Sequence, residues 1–251
     1  MDLDLTDRVF LVTGGTRGLG RATADALVAE GARVVLSSRS PESVRGAVGE
    51  LGDRATGVVA DIADTDTPDR LVAAAQERWG RLDGALISAG GPPIGPVTGI
   101  TDEQWTAAFG SVFLGAVRLA REVGQALAPG GSIAFVLSTS VRSPIADLAI
   151  SNGLRPGLAM VAKTLADELG PAGVRVNGLL PGRFGTERVV ELDAASGDPV
   201  ASRAASSKTI PLGRYGEPEE FGRVAAFVLS PAASFVSGSM LPVDGGMLRT
   251  L

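Results

Sequence analysis

The sequence predicts a single doubly wound α/β domain, a seven-stranded parallel sheet flanked by helices, on three observations. Short β-branched runs alternate with Ala- and Leu-rich segments of helical length. The runs are apolar almost throughout, which suits strands covered on both faces. The chain has 251 residues with no repeat, low-complexity tract or linker, which suits one large domain.

The strand runs lie at 9–13 (Val-Phe-Leu-Val-Thr), 33–37, 56–60, 84–88, 132–138 and 174–180, with a last short one at 240–243. Between them, 19–30, 41–51, 68–79, 102–127 and 154–169 space their apolar residues as amphipathic helices do. The fifth helix is expected to start late or bend, because Pro156 disfavours helical geometry at Arg155 and removes a backbone donor. Residues 186–211 hold no strand run and are rich in Ala and Ser, so they read as a mobile substrate flap.

Composition removes whole classes of chemistry. With no Cys there is no disulfide, thiolate nucleophile or Cys-bound metal. With no His there is no Ser-His-Asp triad, imidazole base or His-ligated metal. The net charge of −5 argues against nucleic-acid binding, which needs a basic footprint. The acidic start Met1-Asp2-Leu3-Asp4-Leu5 lacks the features of a signal peptide, and no apolar run approaches the ~18 residues of a membrane span. A cytoplasmic protein with a small-molecule substrate is expected.

The first strand run leads into Thr13-Gly14-Gly15-Thr16-Arg17-Gly18-Leu19-Gly20 and then a helix. Glycines at such a turn let the backbone approach a pyrophosphate, and the helix N-terminus offers free N–H groups and a positive dipole end. The position at the first βα turn is the context that a dinucleotide fingerprint requires. At the end of the second strand an NAD site places a carboxylate on the ribose hydroxyls. Here the chain has Ser37-Ser38-Arg39, with Arg17 in the glycine loop. Two guanidinium forks suit a 2′-phosphate, so NADP(H) is favoured over NAD(H).

On these residues the chain resembles the short-chain dehydrogenase/reductase family. Thr13–Gly20 resembles the family's T-G-x-x-x-G-x-G, Asp61-Ile62 its adenine site, and Ser88-Ala89-Gly90 its N-A-G. Pro181-Gly182 through Thr186 is similar to the P-G-x-x-x-T that closes over the nicotinamide. Arg214 to Glu220 and Val243-Asp244-Gly245-Gly246 resemble its closing signatures. The resemblance spans essentially the whole chain and implies a Rossmann sheet and a homodimer or homotetramer.

The family's catalytic set is Asn, Ser, Tyr and Lys, with the last two spaced Y-x-x-x-K. Ser138, closing the run 132–138, matches the serine. The tyrosine position holds Ser151, the lysine position Arg155 and the asparagine position Val112. A serine hydroxyl is a far weaker acid than a phenol and cannot donate a proton at neutral pH. Arg155 can bind ribose hydroxyls and polarise an oxyanion, but does not give up a proton. The chain's one tyrosine is Tyr215, in a segment that family members place away from the nicotinamide, where it reads as a packing or interface residue. Asp147, Glu187 and Lys208 read as solvated charges.

Three function classes follow. The first is an NADP(H)-dependent reductase of activated carbonyl or quinone-like acceptors, with Ser138, Ser151 and Arg155 as its altered catalytic set. The second is a non-catalytic NADP(H)-binding regulator, sensor or inactive partner subunit. The third keeps the fold for a lyase or isomerase reaction.

Overall fold

The computed structural model describes residues 1–194 and 197–250. Seven parallel strands form one sheet: β1 (Val9–Thr13), β2 (Arg33–Ser38), β3 (Ala55–Val59), β4 (Gly84–Ile87), β5 (Ser132–Val136), β6 (Arg175–Pro181) and β7 (Met240–Val243). Their order is β3-β2-β1-β4-β5-β6-β7. The chain winds outward from β1 in one direction and from β4 in the other, so a cleft opens where the winding reverses, at the carboxyl ends of these two strands.

Side chains alternate across each strand and build two cores. Val9, Leu11, Ile133 and Phe135 pack on one face beneath α3 (Thr67–Trp79), α5 (Gly115–Ala126) and α6 (Ala149–Leu169). Phe10, Val12, Ala134 and Val136 pack on the other face beneath α1 (Gly18–Ala29), α2 (Pro41–Leu51) and α9 (Pro218–Leu229). Among the described residues no helix is long and apolar enough to cross a membrane.

Three expectations need correction. The segment 102–127 is not one regular helix: α4 (Asp102–Ala108) passes through a π-helical turn, Phe109–Leu114, into α5. The turn brings Gly115 against the backbone of Ile62, where an added Cβ would lie 2.3 Å from the Ile62 oxygen. The helix expected at 154–169 begins five residues earlier, at Ala149, and Pro156 sits inside it. Its first turn is held from outside, because the Asn152 side chain accepts from the Ile145 N–H at 3.0 Å and donates to the Ile145 carbonyl at 2.8 Å. The fifth strand stops at Val136, so Ser138 is not a strand residue; its Oγ accepts the Ser140 N–H and starts a 3₁₀ turn, Thr139–Val141. Residues 186–211 carry two helices, α7 (Glu187–Ala194) and α8 (Pro199–Lys208), the second opened by Asp198, whose side chain accepts from the Ala201 N–H. Helix α9, absent from the sequence reading, starts at a capping box between Glu217 and Glu220.

Candidate active site

The glycine loop forms one wall of the cleft. Gly14 and Gly18 take φ +60° and +55°, a region that side chains rarely adopt. A Cβ on Gly20 would lie 2.3 Å from the Gly14 oxygen, so only glycine lets α1 start this close to the turn. Arg17 caps α1 without any side-chain bond and the first turn carries no acid, which leaves its N–H groups for an anion. Thr16 and Leu19 flank this turn, half-buried. Thr13 ties the loop to β4: its hydroxyl donates to the Ser88 carbonyl at 3.0 Å and accepts from the Ser88 N–H at 2.7 Å. Ala89, half-buried, and Gly90, exposed, follow Ser88.

Arg39 follows β2 and is 80% exposed, 3.9 Å from an Asp61 oxygen. The other Asp61 oxygen accepts from the Ala63 N–H at 3.0 Å, and Ile62 follows against α5. Ser38, half-buried, ends β2 beside them. On the far side β6 runs through Pro181 to Gly182, whose N–H bonds the Val243 carbonyl at 2.9 Å. Thr186, buried, packs over Gly18: a Cβ there would stand 3.6 Å from the Thr186 methyl. The structure thus brings Gly14, Gly18, Ser88 and Thr186 around one opening. The residues fit a dinucleotide: N–H groups without a side-chain cap at the start of α1, glycines at 14, 18 and 20, and the Asp61 carboxylate near the end of β2.

Ser151 and Arg155 share a face of α6, one turn apart, turned to the end of β5. The Ser151 hydroxyl lies 3.0 Å from the Ser140 hydroxyl. Ser140 escaped the sequence reading; its place two residues after Ser138 was the available signal. Ser138 is half-buried, and its own O–H donates to none of the described residues. Arg155 is buried at 7% exposure and donates from Nη1 to the Val136 carbonyl at 2.7 Å. Burial pushes its guanidinium down to about 10, so it stays charged at neutral pH. Val112 is buried in the π-helical turn and offers no polar group.

Tyr215 does not face the cleft. It is buried at 1% exposure, and its OH lies 3.1 Å from both Asp193 oxygens. Arg183 and Ser202 also donate to Asp193, and the Arg203 guanidinium stands 4.6 Å over the Tyr215 ring. The cluster fastens α7 and α8 to the body. At the other end of α7, Arg188 donates to the Pro92 carbonyl at 2.9 Å, bridging α7 to the loop after β4. Tyr215→Phe should cost about 1–2 kcal/mol, one bond to a buried carboxylate, and speed protease cleavage within 186–211. Thermal unfolding and limited proteolysis read the two effects.

A family model described as enoyl-(acyl carrier protein) reductase matches residues 14–248. The chain is 35% identical over 260 residues to levodione reductase of Leifsonia aquatica, covering 96% of this chain and 94% of that one. It is 32% identical over 257 residues to L-rhamnose 1-dehydrogenase (NAD(P)(+)) of Azotobacter vinelandii, covering 98% and 99%. L-sorbose reductase from Gluconobacter frateurii, complexed with NADPH and L-sorbose, matches in structure with a TM-score of 0.94 at 28% identity over 100% of both chains. The glycine loop, the strand order and this agreement along the whole chain make the protein a member of the short-chain dehydrogenase/reductase family of oxidoreductases.

Proposed function

We propose that the protein is an NADP(H)-dependent oxidoreductase with an altered catalytic tetrad, reducing activated carbonyl or quinone-like acceptors. One observation carries this reading: the glycine loop opening α1 and the end of β5 lie at the same edge of the sheet, and the position resembling the family's acid holds Ser151, 3.0 Å from the Ser140 hydroxyl. Gly14, Thr16, Arg17, Gly18, Leu19 and Gly20 would hold the pyrophosphate. Asp61 and Ile62 would hold the adenine, Ser38 and Arg39 the 2′-phosphate. Ser88, Ala89, Gly90, Arg155, Pro181, Gly182 and Thr186 would line the nicotinamide half. Similarity to a reductase complexed with NADPH supports the choice of nucleotide.

Bound there, the reduced nucleotide supplies a hydride. The acceptor's carbonyl oxygen takes the released electron pair, and Ser138 and Arg155 donate hydrogen bonds to that oxygen. In a quinone the resulting anion is that of a hydroquinone, delocalised over the ring, and in an activated dicarbonyl the adjacent electron-withdrawing carbonyl makes it less basic, so water can supply the proton without a side-chain acid. In a simple ketone it is an alkoxide, and the missing acid then limits the rate.

The purified chain should therefore oxidise NADPH with 9,10-phenanthrenequinone and far more slowly with cyclohexanone. If no activated carbonyl in a broad panel is turned over, the non-catalytic NADP(H)-binding reading takes its place. The Arg155 bond to the Val136 carbonyl favours that second reading, since it draws the cation's Nη1 onto the protein. Arg39→Ala should weaken NADPH binding about tenfold and leave NADH unchanged, as calorimetry would measure. A cytoplasmic homodimer or homotetramer belongs to this proposal, and sedimentation reads the oligomer.

A further inference from the structure

The opening framed by Gly14, Gly18, Ser88 and Thr186 is bridged on its remaining side by one bond. Arg188, in the first turn of α7, donates from Nη2 to the Pro92 carbonyl at 2.9 Å. Arg188 stands two residues after Thr186 and Pro92 four residues after Ser88, so the bond joins the two segments that leave the opening. Gly91 is fitted to the same contact: a Cβ there would lie 2.8 Å from the Arg188 Nε and 3.3 Å from its Cζ. Gly91 has no positive φ, so the close approach of the guanidinium, and not backbone conformation, is what asks for glycine.

The contacts around the opening form a ring whose links differ in strength. Thr13 and Ser88 are joined by two hydrogen bonds, at 2.7 and 3.0 Å. The Thr186 side is seated in the core. Phe184 is buried and meets the Phe221 ring edge-on at 5.6 Å, and the Gly185 N–H bonds the Gly216 carbonyl at 2.9 Å. The far end of α7 is held where Asp193 meets Tyr215. On the β4 side the next fixed point after Ser88 is Gly95. Its N–H bonds the Asp147 carbonyl at 2.7 Å, and its own carbonyl accepts from the Ala149 N–H at 3.2 Å. Between these anchors Gly90, Gly91, Pro93 and Ile94 are exposed. Among the described residues the one hydrogen bond that ties this stretch to another element is Arg188 to Pro92. A single bond from a side chain 40% exposed is the weakest link of the ring.

We propose that Arg188 is the clasp of a nucleotide gate. Its bond to Pro92 closes the ring over a bound dinucleotide, and its release, with Gly90 and Gly91 as the hinge, admits and frees the nucleotide. The inference rests on the dinucleotide-binding part of the proposed function. The purine and nicotinamide ends lie on either side of the pyrophosphate, so a ring closed around the middle of the molecule passes neither end until a link opens. Arg188 bonds a protein carbonyl and not the nucleotide. Losing the bond therefore speeds entry and exit alike and leaves affinity unchanged.

The probe is NADPH. Stopped-flow mixing followed by nucleotide fluorescence gives the association rate, and displacement by excess NADP⁺ gives the dissociation rate. In Arg188→Ala both rates should rise about tenfold, the worth of one charged hydrogen bond in a partly exposed setting, with Kd from calorimetry unchanged. Gly91→Ala, whose methyl displaces the guanidinium from the other side, should reproduce the effect. Combined with Arg188→Ala it should add nothing further. Glu191→Gln removes the 3.5 Å ion pair to Arg188 but not the Pro92 bond, and should keep wild-type rates. A residue that only stabilised α7 would lower the unfolding temperature and shift Kd, and one that touched the nucleotide would shift Kd through one rate. Either pattern, or wild-type exchange rates in Arg188→Ala or in Gly91→Ala, would overturn the proposal. Failure of the nucleotide reading shows separately, as absence of NADPH binding to the unaltered chain, and takes the proposal with it.

Discussion

Ser151→Tyr combined with Arg155→Lys should raise kcat/KM for a simple ketone such as cyclohexanone by about 10²–10⁴-fold, the usual worth of a positioned general acid. The two positions lie one turn apart on α6 and face the end of β5, as a donor and its neighbouring cation must. A phenol has an ordinary pKa near 10, and a close cation lowers it toward the working range. The serine hydroxyl has no such prospect. Each single variant should gain little. The tyrosine alone sits beside a guanidinium already engaged by Val136, and the lysine alone has no acid to tune. Ser151 is 5% exposed with Ser140 3.0 Å away, so the phenol needs room beyond the Ser140 hydroxyl. No gain in the double variant would show that these positions do not face the reacting carbonyl.

Gly20→Ala should weaken NADPH binding by at least about 100-fold and cost roughly 1–3 kcal/mol of stability, the common range for overpacking. The new methyl would lie 2.3 Å from the Gly14 oxygen and 2.8 Å from its carbonyl carbon, both backbone atoms that cannot rotate away. Gly14 in turn abuts the Ser88 oxygen, at 3.3 Å from its own would-be Cβ. The loop has no room to retreat. The strain must open the start of α1, whose N–H groups are the proposed phosphate contacts. Gly46→Ala, where nothing lies within 4 Å of the added atom, is the control and should leave affinity unchanged. Calorimetry with NADPH and thermal unfolding on both variants separate the two outcomes.

The strands were legible because burial on both faces demands apolar runs, and Val9–Thr13 is as apolar in the sheet as on the page. The helix misreadings share one cause. Local propensity placed a start at Leu154, because Pro156 removes a donor and crowds the preceding turn. The outcome was decided by tertiary contacts: Asn152 bonded to Ile145, and Gly153 and Gly157 leaving room for the rings of Trp105 and Phe113. The π-helical turn was equally hidden, since nothing in Phe109–Leu114 distinguishes a wider turn from a regular one. At the site, Gly14, Gly18, Gly20 and Ser88 could be placed from motif spacing alone. Ser140 could not, because its contact with Ser151 depends on where β5 ends. The opposite holds for Tyr215. Its remoteness from the cleft was legible, while its partner Asp193, on α7, was not.

On the proposed function, hydride transfer in this oxidoreductase proceeds without a side-chain proton donor. This is tested by the pH dependence of kcat/KM for NADPH-driven reduction of 9,10-phenanthrenequinone between pH 7.5 and 9, above the titration of the nucleotide's 2′-phosphate near pH 6. Arg155 keeps its charge below about 10, and Ser138 and Ser151 do not titrate, so the profile should be flat. A fall in rate with rising pH, centred within that window, would reveal an acid at the reacting carbonyl and contradict the account.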